Sequence, residues 1–382
     1  MQLARLLAVL LVSALISPAL AAIDTTAEHA LLLDGDSGQV LWDKDGYAAM
    51  PPASMSKLMT LELLFQRLKD KRLKLDDTLL VSERAWRTEG SRSFLVLGSR
   101  VKIEDLIRAV IIQSGNDACI VLAEGLGGTV EGFVRLMNTR AQQLGYKQSH
   151  FVNPDGLPEP AGQLMSAYEL AQLAAHLAKD YPQYYHYFSE KSFVWNNITQ
   201  ENRNHVLDKF PGADGLKTGH TDESGYGVTA SAVRNGQRLV LVLNGLRYPN
   251  VTSWVAERLR GDEAARILDL GFREFRRYAL FKQNDDVGRA PVWGGVAQDV
   301  ALTVNQPLAV TMQVDSRSNM KVKLNYSGPL QAPVAKGQKV GTLTVTAPDF
   351  KTTTVPVYAK EAVERVGIFG RISLGLKSLL GS

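Results

Sequence analysis

The sequence predicts an α/β fold: a mostly antiparallel sheet covered by helices and carrying a helical insert, then a small all-β domain, then a C-terminal amphipathic helix. Three observations predict it. Strand-like runs stand on either side of a long helical stretch in the first part of the chain, the order of a sheet closed over by helices. From about residue 283 the helical period disappears, and apolar and polar residues alternate between prolines. The last stretch, Glu361 to Leu380, returns to helical spacing with an apolar side and a basic side.

The 382 residues suit two or three domains. The divisions expected are a signal segment over 1–21, a catalytic domain over 22–282, a β-rich domain over 283–358 and an amphipathic helix over 359–382. Hydrophobic content of 45% and charged content of 21% are those of an ordinary globular chain. A net charge of +4 with no basic run or aromatic-basic repeat gives no footing for nucleic acid as a partner. Cys119 is the single cysteine and sits in an apolar run, which excludes an internal disulfide and marks a core position. The six histidines form no His-Glu-x-x-His pattern, so neither a metal nor another cofactor is expected.

In chain order, Arg5, the apolar run Leu6–Ile16 and Ala19-Leu20-Ala21 make a cleavable secretion signal, which places the mature protein outside the cytoplasm. A hairpin spans Glu28 to Trp42 around the turn-rich Asp34-Gly35-Asp36-Ser37-Gly38. Pro51-Pro52 stops it, and Met55, Leu58, Met59, Leu61, Leu64, Phe65 and Leu68 then recur at helical spacing. Thr78 to Val81 reads as a short strand. Helical patterns cover Ile103–Ile112, Ala118–Gly125, Val130–Leu144 and Ala167–Ala178. Strands return at Gly215–His220, Tyr226–Val233 and Arg238–Leu246, the last two joined by Asn235-Gly236, a strong hairpin signal. A final helix is expected from Trp254 to Arg277. Val300–Val304, Met312–Val314, Met320–Leu324 and Val340–Val345 are then the strands of a sandwich or barrel ending near Tyr358. In the tail, Val366, Ile368, Phe369, Ile372, Leu376, Leu379 and Leu380 share one side and Glu364, Arg371, Lys377 and Ser378 the other. The charges exclude an ordinary membrane span, and the pattern suits a helix lying in a membrane surface.

The chemistry starts at Ser54-Met55-Ser56-Lys57. Lys57 lies one helical turn after Ser54 and shares its face. A hydroxyl is a poor nucleophile until a base takes its proton, and an amine with a depressed pKa can be that base. The helix N-terminus offers free N–H groups to a developing oxyanion. Alone, Ser-x-x-Lys is weak. Ser114-Gly115-Asn116, at a helix-to-helix turn, and Lys217-Thr218-Gly219-His220, at a strand end, make it strong by their order and spacing.

This trio, with Gly115 in place of a middle Asp, resembles the low-molecular-mass penicillin-binding proteins that are D-alanyl-D-alanine carboxypeptidases, serine peptidases of the β-lactamase/transpeptidase-like fold. The resemblance covers nearly the whole chain, from signal to tail. It implies that Ser54 attacks the carbonyl between two terminal D-alanines of a peptidoglycan pentapeptide stem, with Lys57 as the neutral base and Ser114 relaying the proton to the leaving D-alanine. Asn116 would position Lys57 and the substrate amide. Lys217 would depress Lys57 and, with Thr218, meet the terminal carboxylate, while Gly219 would let the substrate lie against the strand edge. By the same resemblance the N–H groups of Ser54 and His220 form the oxyanion hole, and Arg203 and Arg260, which stand where the family has arginines, help bind the carboxylate. It further implies covalent acylation by β-lactam antibiotics and a site of action at the periplasmic face of the inner membrane. The β-lactamase alternative needs a Glu-x-x-Leu-Asn between Asn116 and Lys217, and there is none. A D,D-endopeptidase and a non-catalytic binder of cell-wall peptide ends are the other readings.

Overall fold

A computed structural model of the chain describes residues 23–348 and 350–367. The signal segment over 1–21 and the tail from 368 to 382 lie outside the described residues.

Strands β1 (His29–Asp34) and β2 (Val40–Lys44) form the expected hairpin, its turn closed by the Ser37 N–H on the Asp34 carboxylate at 2.7 Å. A 3₁₀ turn, Ala53–Ser56, runs directly into α1 (Lys57–Lys69). The insert follows as β3 (Thr78–Leu80), α2 (Glu83–Arg87), β4 (Arg100–Lys102), α3 (Ile103–Ile111), α4 (Asn116–Gly127), α5 (Val130–Gln143) and α6 (Ala167–Asp180). Sequence patterns do not show the next pieces, which are too short to carry a period: α7 (Pro182–Tyr185), the hairpin β5 (Ser192–Trp195) and β6 (Ile198–Glu201), and α8 (Val206–Lys209). Then come β7 (Ala213–Thr221), β8 (Gly225–Arg234), β9 (Gln237–Leu246) and α9 (Ser253–Glu274).

The main sheet is antiparallel, in the order β2-β1-β9-β8-β7. Along β9, Leu239, Leu241 and Leu243 face one core cluster, and Val240 and Val242 face another. Both faces are covered, one by α1 and the insert and the other by α9, which explains why β9 is an apolar run rather than an alternation. Helix α1 is buried almost all round. Even Glu62 is fully buried there, and burial works against its charge, but hydrogen bonds and charge from His176 and Arg140 more than offset this and hold its carboxyl below the usual range. The helix that begins beside Ser54 is thus clamped in the middle of the domain.

Two expectations are corrected. The long helix stops at Glu274, short of Arg277. Phe275–Phe281 is a strand, β10, paired with β13, so it joins the β-rich body ahead of the boundary expected at 282/283. Local propensity favours helix through Arg277, but the main chain of β13 supplies partners that the helix cannot. The rest of that body is β11 (Asp286–Trp293), β12 (Asp299–Thr303), β13 (Leu308–Gln313), β14 (Lys321–Tyr326), β15 (Leu330–Gln331), β16 (Lys339–Thr346) and β17 (Thr353–Ala359), with a six-stranded sheet ordered β14-β16-β17-β12-β11-β15. The second correction concerns Glu361 to Gly367, which is not helical. Val363 pairs with Val334 and is buried in the β core, and Arg365 pairs with Gly295 and donates to the Ala332 carbonyl at 2.8 Å.

The β-rich body meets the main sheet where β1 ends and β9 begins: Thr311 Oγ1 donates to the buried Asp34 carboxylate at 2.6 Å, and Arg277 pairs with Asp36 at 3.1 Å. Lys217-Thr218-Gly219-His220 lies at the other end of the sheet, level with the start of β8 and the end of β9. A strand of this length spans about 30 Å, so the second body stands well away from the motifs.

Candidate active site

The 3₁₀ turn before α1 presents Ser54 half-buried, while Met55, Leu58 and Met59 anchor its other side in the core. Lys57 is fully buried. Its Nζ lies 2.7 Å from Ser54 Oγ, 2.8 Å from Asn116 Oδ1 and 2.5 Å from the Asp155 carbonyl oxygen. The Ser-x-x-Lys spacing therefore does bring hydroxyl and amine into contact. Burial lowers the pKa of Lys57, opposed by Cys119 and Asp155 and reinforced by Arg203.

Ser114 and Asn116 come from the turn between α3 and α4. Ser114 is held at φ 62°, a left-handed conformation that costs a serine on the order of 1 kcal/mol. The turn is fixed by Gly115 N–H on the Ala109 carbonyl at 2.9 Å and Asn116 N–H on the Ser91 carbonyl at 2.7 Å. Ser114 Oγ is buried and has no hydrogen-bond partner, a polar atom left for a substrate or a moving proton. Asn116 is oriented: its Nδ2 donates to the Glu89 carbonyl at 2.8 Å, so Oδ1 faces Lys57. Gly115, at the position of the middle Asp, is explained by crowding. A Cβ there would come within 2.4 Å of Ser93 Oγ and 2.8 Å of Asp117 Oδ1. The neighbouring Asp117 carboxylate accepts from the Ser93, Leu95 and Ala118 N–H groups and so ties the 91–95 loop beside the site.

Lys217-Thr218-Gly219-His220 lies on β7, the strand at one edge of the sheet. Lys217 is buried, and among the described residues its Nζ donates to the Thr218 carbonyl alone, at 2.9 Å. Burial first, then Lys57 and Arg203, take its pKa well below the ordinary lysine value. Both amines are held below the ordinary lysine value, burial being the first cause for each, and repulsion between the two ammonium groups is mutual. His220 is exposed as a residue, but its ring stacks on Tyr226 at 3.9 Å, and this partial desolvation together with Arg260 lowers its pKa. It makes no hydrogen bond to Ser54 or Lys57. Arg203 is half-buried and reaches Ser91 Oγ at 2.7 Å. Arg260, in α9, is buried, its pKa pushed down to about 10 by burial, and its guanidinium braces the Arg203 carbonyl at 3.1 Å and the Gly219 carbonyl at 3.5 Å. Among the described residues none of Lys57, Lys217, Arg203 and Arg260 has a carboxylate in an ion pair, a cationic set suited to a carboxylate ligand.

Gly219 is where β7 touches the Ser54 turn. A Cβ on it would lie 2.9 Å from the Pro52 carbonyl oxygen and 3.1 Å from both Ala53 Cβ and Ser54 N. Gly219→Ala is expected to push strand and turn apart, slowing β-lactam labelling by at least about tenfold and lowering stability by about 1–3 kcal/mol; labelling kinetics and thermal unfolding check both.

One part of the site is invisible to motif reading, the loop Asn153-Pro154-Asp155-Gly156-Leu157. It contributes a main-chain carbonyl, and its only sequence signal is the pair of turn dipeptides Asn-Pro and Asp-Gly. Burial pushes the Asp155 carboxyl up, with Lys57 opposing.

Comparison with known proteins agrees with this picture. Residues 16–246 match the peptidase S11 family, described as D-alanyl-D-alanine carboxypeptidase, and residues 275–365 match the penicillin-binding protein 5 C-terminal domain. The D-alanyl-D-alanine carboxypeptidase DacC of Escherichia coli is 36% identical over 350 residues, 90% of this chain and 85% of that one. DacF of Bacillus subtilis is 32% identical over 351 residues, 89% of this chain and 87% of that one. Penicillin-binding protein 5 of Haemophilus influenzae superposes with a TM-score of 0.80 at 32% identity, covering 90% of this chain and 99% of that one. With a seryl hydroxyl against a buried amine at the head of its central helix, and with these matches along nearly its whole length, the chain belongs to the D-alanyl-D-alanine carboxypeptidases of the peptidase S11 family, serine enzymes of the penicillin-binding class.

Proposed function

We propose that the enzyme removes the terminal D-alanine from peptidoglycan pentapeptide stems through an acyl-enzyme on Ser54. The observation that carries this is the 2.7 Å contact between Ser54 Oγ and the buried Nζ of Lys57. The Ser54 proton passes to the neutral amine as Oγ bonds to the carbonyl carbon, and the carbonyl electron pair moves onto oxygen, which the Ser54 and His220 N–H groups receive. Collapse of this intermediate breaks the C–N bond. The D-alanine nitrogen leaves with a proton returned from Lys57 through Ser114. Water then repeats the attack on the ester and frees Ser54. Lys217 and Thr218 hold the terminal carboxylate, Asn116 the substrate amide, and Arg203 and Arg260 supply the surrounding positive field. Penicillin enters the same path at its lactam carbonyl and stays as the Ser54 ester.

The test is twofold: release of free D-alanine from a diacetyl-Lys-D-Ala-D-Ala peptide, and mass mapping of the residue acylated by penicillin. Adduct at Ser54 supports the reading; adduct elsewhere, or none, overturns it.

The enzyme works outside the cytoplasm, at the periplasmic face of the inner membrane, held there by an amphipathic segment over 368–382. The support is sequence: Ile368, Phe369, Ile372, Leu376, Leu379 and Leu380 on one side of a helical wheel, and Arg371 and Lys377 on the other. Since Val363 and Arg365 belong to the β body, a chain ending at Gly367 removes the segment and keeps their pairing. That chain is expected to be lost from membranes while retaining its turnover of the soluble peptide. Equal membrane recovery with and without 368–382 refutes the anchor.

A further inference from the structure

The loop from 153 to 157 is built around one side-chain amide. Asn153 Oδ1 accepts from the Gly156 N–H at 2.7 Å and the Asp155 N–H at 3.3 Å, and Asn153 Nδ2 donates to the Leu157 carbonyl at 2.8 Å. Gln163 closes it from behind, accepting from the Val152 N–H at 2.8 Å and donating to the Asn153 carbonyl at 3.3 Å. In front, Gly156 sits at φ 81° with its Cα so close to the Ser54 turn that a Cβ would stand 2.1 Å from the Ala53 oxygen. Thr60 Oγ1 on α1 donates to the Pro154 carbonyl at 2.6 Å. The result of all this bracing is one carbonyl oxygen, that of Asp155, aimed at Lys57 Nζ.

A neutral primary amine has two N–H donors and one lone pair. Three oxygens surround Lys57 Nζ: Asn116 Oδ1, the Asp155 carbonyl and Ser54 Oγ. The first two can only accept, and only Ser54 Oγ carries a hydrogen. The two carbonyl oxygens therefore take both N–H groups, and the lone pair is left facing the Ser54 hydroxyl, the orientation that proton transfer needs. With either acceptor missing, the amine is free to turn an N–H onto Oγ, which makes the hydroxyl an acceptor rather than a donor.

We propose that Asn153 is a positioning residue for acylation: by fixing the loop it keeps the Asp155 carbonyl on Lys57, so that the amine's lone pair, and not a hydrogen, points at Ser54. The inference rests on the Ser54 acyl-enzyme proposed above. The same carbonyl stabilises the ammonium that forms when the proton arrives. Losing it favours the neutral amine, so the acid limb of the acylation rate moves to lower pH. The plateau drops as well, because the base is weaker and misaimed.

The experiment is the second-order rate of acylation by a fluorescent penicillin across about pH 5 to 10 for the wild type, Asn153→Ala and Gln163→Met, with steady-state peptide hydrolysis beside it. Asn153→Ala is expected to acylate about 100-fold more slowly, with its acid limb displaced downward and KM for the peptide within roughly twofold of wild type. A general loosening of structure would admit water to Lys57 and move the limb the opposite way, to higher pH, which also overturns the inference. Wild-type acylation in Asn153→Ala, or slow acylation with the limb in place, overturns the inference. Should Asn153→Ala fail to fold, Gln163→Met reads the same limb one step further from Lys57, and a folded Gln163→Met protein with an unmoved limb is equally fatal. If the wild type takes no label at Ser54, the acyl-enzyme reading falls and this inference with it; a labelled wild type beside an unmoved variant removes this inference alone.

Discussion

Ser54→Ala is expected to lower release of D-alanine from a D-Ala-D-Ala peptide by a factor of about 10⁵ or more, and to abolish labelling by penicillin. The magnitude follows from nucleophilic catalysis. Once the attacking oxygen is gone the covalent route does not exist, and loss of a serine nucleophile typically costs on the order of 10⁶ in turnover, with residual activity from binding alone. The fold should survive. Ser54 Oγ touches Lys57 Nζ at 2.7 Å and the Asp155 carbonyl at a loose 3.4 Å, and the turn is anchored by the buried Met55 rather than by the hydroxyl. Lys57 keeps its two carbonyl acceptors. A melting temperature within a few degrees of wild type, with no D-alanine released and no adduct, is the expected pattern. Substantial turnover by folded Ser54→Ala would move the nucleophile elsewhere, and no other hydroxyl contacts Lys57 Nζ among the described residues.

Lys57→Met should come next in size, slowing acylation by roughly 10⁴-fold or more, since the nucleophile keeps its place but loses its base. Methionine is close to lysine in length but leaves Asn116 Oδ1 and the Asp155 carbonyl without their donor, so a loss of about 1–3 kcal/mol is expected beside the rate effect. The pH dependence carries the sharper test. Acylation needs the neutral amine, so the wild-type rate falls as pH drops through the pKa of Lys57. Burial sets that pKa below the ordinary lysine value of about 10.4. An acid limb below that value, present in the wild type and missing in Lys57→Met, is expected in stopped-flow labelling. A Lys57→Met protein that keeps the limb would show that another group takes the Ser54 proton. The partner lysine adds a consequence. Burial and the neighbouring cations Lys57 and Arg203 lower the pKa of Lys217, which has no carboxylate to pair with among the described residues. Under the proposed seating of the terminal carboxylate on Lys217, the substrate would supply that counter-charge, favour the ammonium on Lys217, and by mutual repulsion favour the neutral amine on Lys57. On that proposal the substrate would promote the protonation state its own cleavage requires.

The sequence by itself determined the chemistry and the scaffold's outline. The hydroxyl and its amine lie in one short motif and the second lysine in another, and with Ser114-Gly115-Asn116 between them they carry the resemblance that names the reaction. Asn235-Gly236 fixes the β8–β9 hairpin because few other pairs accept its backbone angles, and apolar periods of two and of about 3.6 separate strands from helices. The tertiary structure alone decided what surrounds the amine. The acceptor opposite Asn116 is the Asp155 carbonyl, 98 residues from Lys57 along the chain. Every residue owns a carbonyl, so no side-chain identity can show which one a fold will turn inward. The same reason hides the strand at Phe275–Phe281 and the pairing of Val363 and Arg365, where distant main-chain partners override a local helical pattern. Arg260 is named from the sequence by resemblance, but only the structure shows its guanidinium bracing the carbonyls of Arg203 and Gly219. Sequence specifies side chains; where backbone meets backbone is settled only when the whole chain has closed around its core.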